Sequence, residues 1–78
     1  MKAKVFITPK KGILDPQGLT IERSLPALGF EGVSNVRVGK YIELELPDGE
    51  KAAAELDQMC HKLLANPIIE DFEFELVP

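Results

Sequence analysis

Cys60 and His61 are the residues of this chain that come nearest to a nucleophile beside a base. That chemistry needs the imidazole within hydrogen-bond reach of the thiol. Neighbouring positions on a helix point about 100° apart, so the two cannot act as a pair. Cys60 falls in an apolar stripe and reads as core. His61 follows Asp57 by four residues, the spacing of an exposed helical pair. Glu43, Glu45, Glu73 and Glu75 could bind a metal or share a proton, but they sit in segments of strict alternation. Alternation places them on the solvated or partner-facing side of a sheet. Gly12 and Gly18 belong to neither GxxxxGK[ST] nor GxGxxG, so no phosphate loop is present. One cysteine and one histidine make neither a disulfide nor a zinc set. No catalytic, cofactor-binding or metal-binding residue is therefore assigned.

A second constellation lies at Arg37, Lys40 and Tyr41, within NVRVGKYIELEL at residues 35–46. Arginine and aromatic residues are favoured at interface centres, and Phe6 shares the outward side of the pattern with Tyr41. A basic turn tip that aids solubility accounts for Arg37 and Lys40 equally well. An interaction module fits better than an enzyme.

The elements that must position these residues follow from periodicity. Residues 2–8 alternate, with Ala3, Val5 and Ile7 on one face and Lys2, Lys4, Phe6 and Thr8 on the other, a strand closed by Pro9 and Gly12. Asp15-Pro16 predicts a helix start, a capping carboxylate before a proline suited to the first turn. Ile21, Leu25 and Leu28 continue at helical spacing until Gly29. Pro26 predicts a kink or an irregular last turn, because proline lacks the N–H a helix interior uses. Asp48-Gly49 is a turn in which Asp48 is placed to cap a helix over 50–65. Its expected stripe is Ala53, Leu56, Cys60 and Leu63, joined by Met59 and Leu64. Asn66-Pro67 ends it, and Phe72, Phe74 and Leu76 alternate in a closing strand.

Residues 33–47 admit two readings. A three-residue loop, Gly39 to Tyr41, sets Val38 opposite Ile42 and Val36 opposite Leu44, keeping one face apolar. One long, bent strand keeps that face apolar too. Strands with a single apolar face need cover on one side only. The fold expected over the single domain 1–78 is thus an α+β two-layer sandwich. It has an antiparallel sheet, two helices on one face and the βαββαβ, ferredoxin-like order. The last strand then lies beside the first, and Lys2 and Lys4 share a face with Glu73 and Glu75.

Length and charge bound the rest. A 78-residue chain buries roughly 60–65% of its extended surface, so self-association is the expected supplement to its core. A net charge of −4 argues against nucleic acid. No apolar run approaches a membrane span and the first residues lack a signal-peptide pattern. A cytoplasmic protein is expected.

GILDPQG (12–18), LGF (28–30), VRVGKYIEL (36–44) and LLANPIIEDFEFEL (63–76) together resemble the PurS family, the small subunit of phosphoribosylformylglycinamidine (FGAM) synthase. The resemblance runs nearly end to end, with Pro26 a departure inside the first helix. It implies a ligase subunit of purine biosynthesis without an active site of its own. It further implies self-association as a dimer or tetramer and two larger partners, the PurL synthetase and the PurQ glutaminase. ATP, magnesium and glutamine would bind on those partners, and the small subunit would hold them together and assist ammonia transfer. In that setting Arg37, Lys40, Tyr41, Phe6 and Gln17 are the expected subunit contacts. The rivals are a stand-alone ACT-like ligand-binding dimer, to be probed by amino-acid titration, and an acylphosphatase-type hydrolase. The latter needs an arginine-bearing anion loop, whereas lysines and Pro9 follow the first strand.

Overall fold

A computed structural model describes all residues, 1–78. Strand β1 (Lys2–Pro9) is central, with β2 (Lys40–Glu45) on one side and β3 (Glu70–Val77) on the other, both antiparallel to it. Lys4 stands opposite Glu75 on β3, on the face expected to be shared with Glu73 and Glu75, and opposite Glu43 on β2. Ala3, Val5 and Ile7 are fully buried beneath helix α2 (Ala52–Met59), whose Leu56 completes the core with Cys60 from the turn after it. Burying a side chain the size of Val, Ile or Leu contributes about 1.5–3 kcal/mol each, so these few residues carry the sheet–helix contact.

Residues 33–47 hold one strand and no hairpin. Positions 33–39, where a second middle strand would lie, are irregular, and Asn35 takes a left-handed conformation with φ 59°. A side chain at Gly39 would run into the Ile7 carbonyl of β1, so the chain enters β2 at an approach to β1 that only glycine allows.

Helix α1 (Pro16–Ser24) starts at its Asp15 cap and stops before Pro26. A short 3₁₀ turn, Pro26–Leu28, follows and closes at Gly29, whose φ of 94° suits glycine. The irregular end expected from Pro26 is thus present. Only Gly18 of α1 is buried. The helix is attached by hydrogen bonds more than by apolar area.

Two details of α2 differ from the sequence pattern. Asp48 is no cap: its carboxylate meets the N-terminal amine at 2.8 Å, and the N-cap position is Lys51. The apolar stripe is Ala52, Leu56, Cys60 and Ala65, while Ala53 and Leu63 face solvent. The cause is a π-helical turn at Cys60–Leu64, in which Ala65 N–H donates to the Cys60 carbonyl at 2.9 Å. One residue is inserted into the helical phase, so the buried spacing goes from four to five.

Nine of the 78 residues are buried, and the molecule measures 49 × 26 × 14 Å. Its radius of gyration, 15.9 Å, exceeds the roughly 11–12 Å of a compact chain of this length. Leu14, Leu28, Phe30, Leu63 and Ile68 are all more than half exposed.

Candidate functional site

The two segments that carry the most distinctive residues, 15–18 and 36–40, meet. Asp15 accepts the Gly18 N–H at 2.9 Å through Oδ1 and the Val38 N–H at 2.7 Å through Oδ2. One carboxylate thereby caps α1 and anchors the irregular segment. These bonds, Gly18 first and then Val38, hold the Asp15 carboxyl below its ordinary value, and the Arg37 charge adds to the effect. Glu22, one turn on, accepts the Val36 N–H at 3.1 Å. Gly18 is needed because a Cβ there would collide with the Val36 carbonyl and the Asp15 carboxylate.

Arg37 turns back on the end of β1, its Nη2 donating to the carbonyls of Pro9 at 2.6 Å and Lys10 at 2.8 Å. The strand end thus gains a charged donor, at the Lys10 carbonyl in addition to the Ile13 N–H that it already accepts. Lys40 sits opposite Ile7 on the helix-covered side, with Nζ 3.7 Å from the Glu70 carboxylate. Tyr41, the next residue, lies on the bare side against Phe6, ring centroids 5.2 Å apart and planes tilted 36°. Its hydroxyl donates to Glu43 at 2.6 Å, and Lys2 approaches the same carboxylate at 3.3 Å. That hydrogen bond, reinforced by burial and by the charges of Glu43 and Glu75, pushes the Tyr41 phenol up to about 12. Glu43 is correspondingly lowered, by Tyr41 first and Lys2 second.

The five expected contact residues therefore fall in separate places. Phe6 and Tyr41 form one exposed aromatic pair. Lys40 points to the opposite side of the sheet, Arg37 is engaged by the backbone of its own chain, and Gln17 lies on the first turn of α1. Gln17 lines a shallow groove there with Pro16, Thr20, Ile21 and Val38. Glu22 and the second bond of Asp15 were not legible in the sequence, because their partners lie 14 and 23 residues away.

Cys60 is fully buried, and burial followed by the Asp57 charge pushes its thiol up. It is thus a core residue rather than a ready thiolate. His61 is exposed, with Nδ1 2.9 Å from the Asp57 carbonyl and 3.3 Å from its carboxylate, and its ring meets Phe72 edge-on at 5.1 Å. The largest concavity, about 610 Å³, borders β3 and gathers Lys10, His61, Glu70 and Asp71 among its walls. No three ligand-type side chains converge there or elsewhere to hold a metal ion. No helix is long and apolar enough to cross a membrane. What the surface offers is contact area: paired aromatics, charged rows and uncovered apolar side chains.

Residues 2–78 match the family PurS, phosphoribosylformylglycinamidine (FGAM) synthase. The FGAM synthase subunit PurS of Methanocaldococcus jannaschii is 47% identical over 77 residues, covering 96% of this chain and 93% of that protein. The crystal structure of Bacillus subtilis PurS superposes with a TM-score of 0.87 at 37% identity, covering 99% and 98% of the two chains. A chain from the structure of PurLQS of Thermotoga maritima superposes at 0.79 with 32% identity, covering 97% and 95%.

Proposed function

The chain belongs to the PurS family of FGAM synthase subunits, and from that premise we propose that it is a bridge in the synthase complex rather than a centre of chemistry. In this reading it associates with itself and, in the cytoplasm, holds a glutaminase (PurQ) against an ATP-dependent synthetase (PurL). Ammonia released from glutamine then reaches the synthetase site without crossing bulk water. ATP, magnesium and glutamine belong to the larger partners. The likeness to a chain of the Thermotoga maritima PurLQS structure supports membership of such an assembly.

The observation that carries the reading is the mismatch between core and surface. Nine buried residues leave Leu28 and Phe30, beside α1, 70% and 58% exposed. Apolar side chains left in water at that density are a normal feature of surfaces that other chains cover. The family match favours this reading over a stand-alone ACT-like ligand-binding dimer.

Size-exclusion chromatography of the purified synthetase and glutaminase, with and without this chain, tests the bridge. Co-elution of the two larger proteins only when the chain is added is the expected result. Co-elution without it, or no association in its presence, would contradict the proposal.

A further inference from the structure

We infer that the bare face of the sheet, centred on Phe6 and Tyr41, docks an arginine- and lysine-rich surface of one of the larger subunits, and not a second copy of this chain. The inference rests on the bridging role proposed above and assigns it a surface. Helix α2 covers the opposite face of the sheet through Ala3, Val5 and Ile7, so the side bearing Phe6 and Tyr41 is left open along its length.

The centre of this face is prepared for contact. Phe6 is 42% and Tyr41 50% exposed, yet the rings touch, and the hydrogen bond to Glu43 fixes the tyrosine hydroxyl. A preset aromatic pair loses little rotamer freedom on binding and offers ring faces to guanidinium groups.

Charge selects the partner. Glu43 and Glu45 line one edge of the face and Asp71, Glu73 and Glu75 the other, against Lys2 and Lys4 between them. Lys10 also reaches this face, pairing with Asp71 at 3.7 Å, so five carboxylates against three lysines leave an excess of two negative charges. Lys2 is already engaged by Glu43, whereas Glu45, Glu73 and Glu75 make no ion pair within the chain. Stacking two copies of this face would set acidic rows near acidic rows, an arrangement that like-charge repulsion penalises. A basic surface meets both rows favourably. Self-association is left to the apolar residues near α1.

The test uses the full chain and three forms: unchanged, Tyr41→Ala, and Glu73→Gln with Glu75→Gln. Circular dichroism reports folding, sedimentation reports self-association, and calorimetry reports affinity for each purified larger subunit at 50 and 500 mM salt. Both variants are expected to fold and self-associate as the unchanged chain does. Each should bind one of the larger subunits about tenfold more weakly, and salt should weaken the unchanged chain's binding to that subunit by a similar factor. Folded variants that bind both larger subunits as tightly as the unchanged chain would overturn the inference and leave the bridging role standing. Loss of self-association in the variants would overturn it too. An unchanged chain that binds neither larger subunit at either salt would remove the bridging role and the inference with it.

Discussion

The Asp15 carboxylate accepts the Val38 N–H at 2.7 Å, joining segments 23 residues apart in sequence. Its other oxygen caps α1 through the Gly18 N–H. Loss of the carboxylate should release both, so Asp15→Ala is expected to lower the melting temperature at pH 7, on the order of 5 °C. The pH dependence has a defined sign. The carboxyl is lowered in the folded protein from its ordinary value of 3.8, so its stabilisation is present above that value. It is lost as the pH falls through the still lower folded value. Thermal melts across that acid range should show the Asp15→Ala chain losing less stability than the parent.

Gly18 provides a sharper test, because local and tertiary effects oppose one another there. On helix propensity alone Gly18→Ala would stabilise by about 1 kcal/mol. The new Cβ, however, would collide with the Val36 carbonyl, and such overpacking costs roughly 1–3 kcal/mol. Net destabilisation in urea is expected. A net gain would mean that α1 and the 36–38 segment are not in contact in solution.

The π-helical turn separates Leu56 from Leu63, which a regular helix would place on one stripe. Leu56 is fully buried and Leu63 is 82% exposed. Chemical denaturation should find Leu56→Ala destabilising by about 2–5 kcal/mol and Leu63→Ala by less than about 0.5 kcal/mol. Comparable losses at the two positions would put the helix back in regular phase.

Tyr41 should ionise at about 12, mainly because its hydroxyl donates to Glu43. An ultraviolet absorbance titration is expected to show a late phenolate transition that moves toward the usual value near 10 in Glu43→Gln. Raised in the folded state, the phenol contributes stability that is complete below its unfolded value and is lost as the pH rises toward about 12. An unshifted phenol in the parent chain would show that the bond is not kept in solution.

Much of the fold was legible because single-faced strands write themselves as alternation: Ala3, Val5 and Ile7 are buried as read, and β1 has β3 as its neighbour. The Asp15 cap and the break at Pro26 were equally local signals. What escaped depends on distance. No pattern in residues 35–46 shows that Gly39 lies against Ile7, or that 33–39 stays irregular while only 40–45 forms a strand. Nor does any local signal mark the extra residue in the turn at Cys60–Leu64 or the pairing of Asp48 with the N-terminal amine. The candidate contact residues were identifiable by type, yet only the sheet's register reveals that Lys40 and Tyr41, adjacent in sequence, serve opposite faces.

The most direct measurement of the central claim compares two nitrogen sources. Purified synthetase and glutaminase are supplied with formylglycinamide ribonucleotide and ATP, then with either glutamine or ammonium, in the presence and absence of this chain. A bridge predicts that product from glutamine depends on the chain, while product from ammonium, which needs no delivery, forms without it. Equal glutamine-dependent rates with and without the chain would contradict the account.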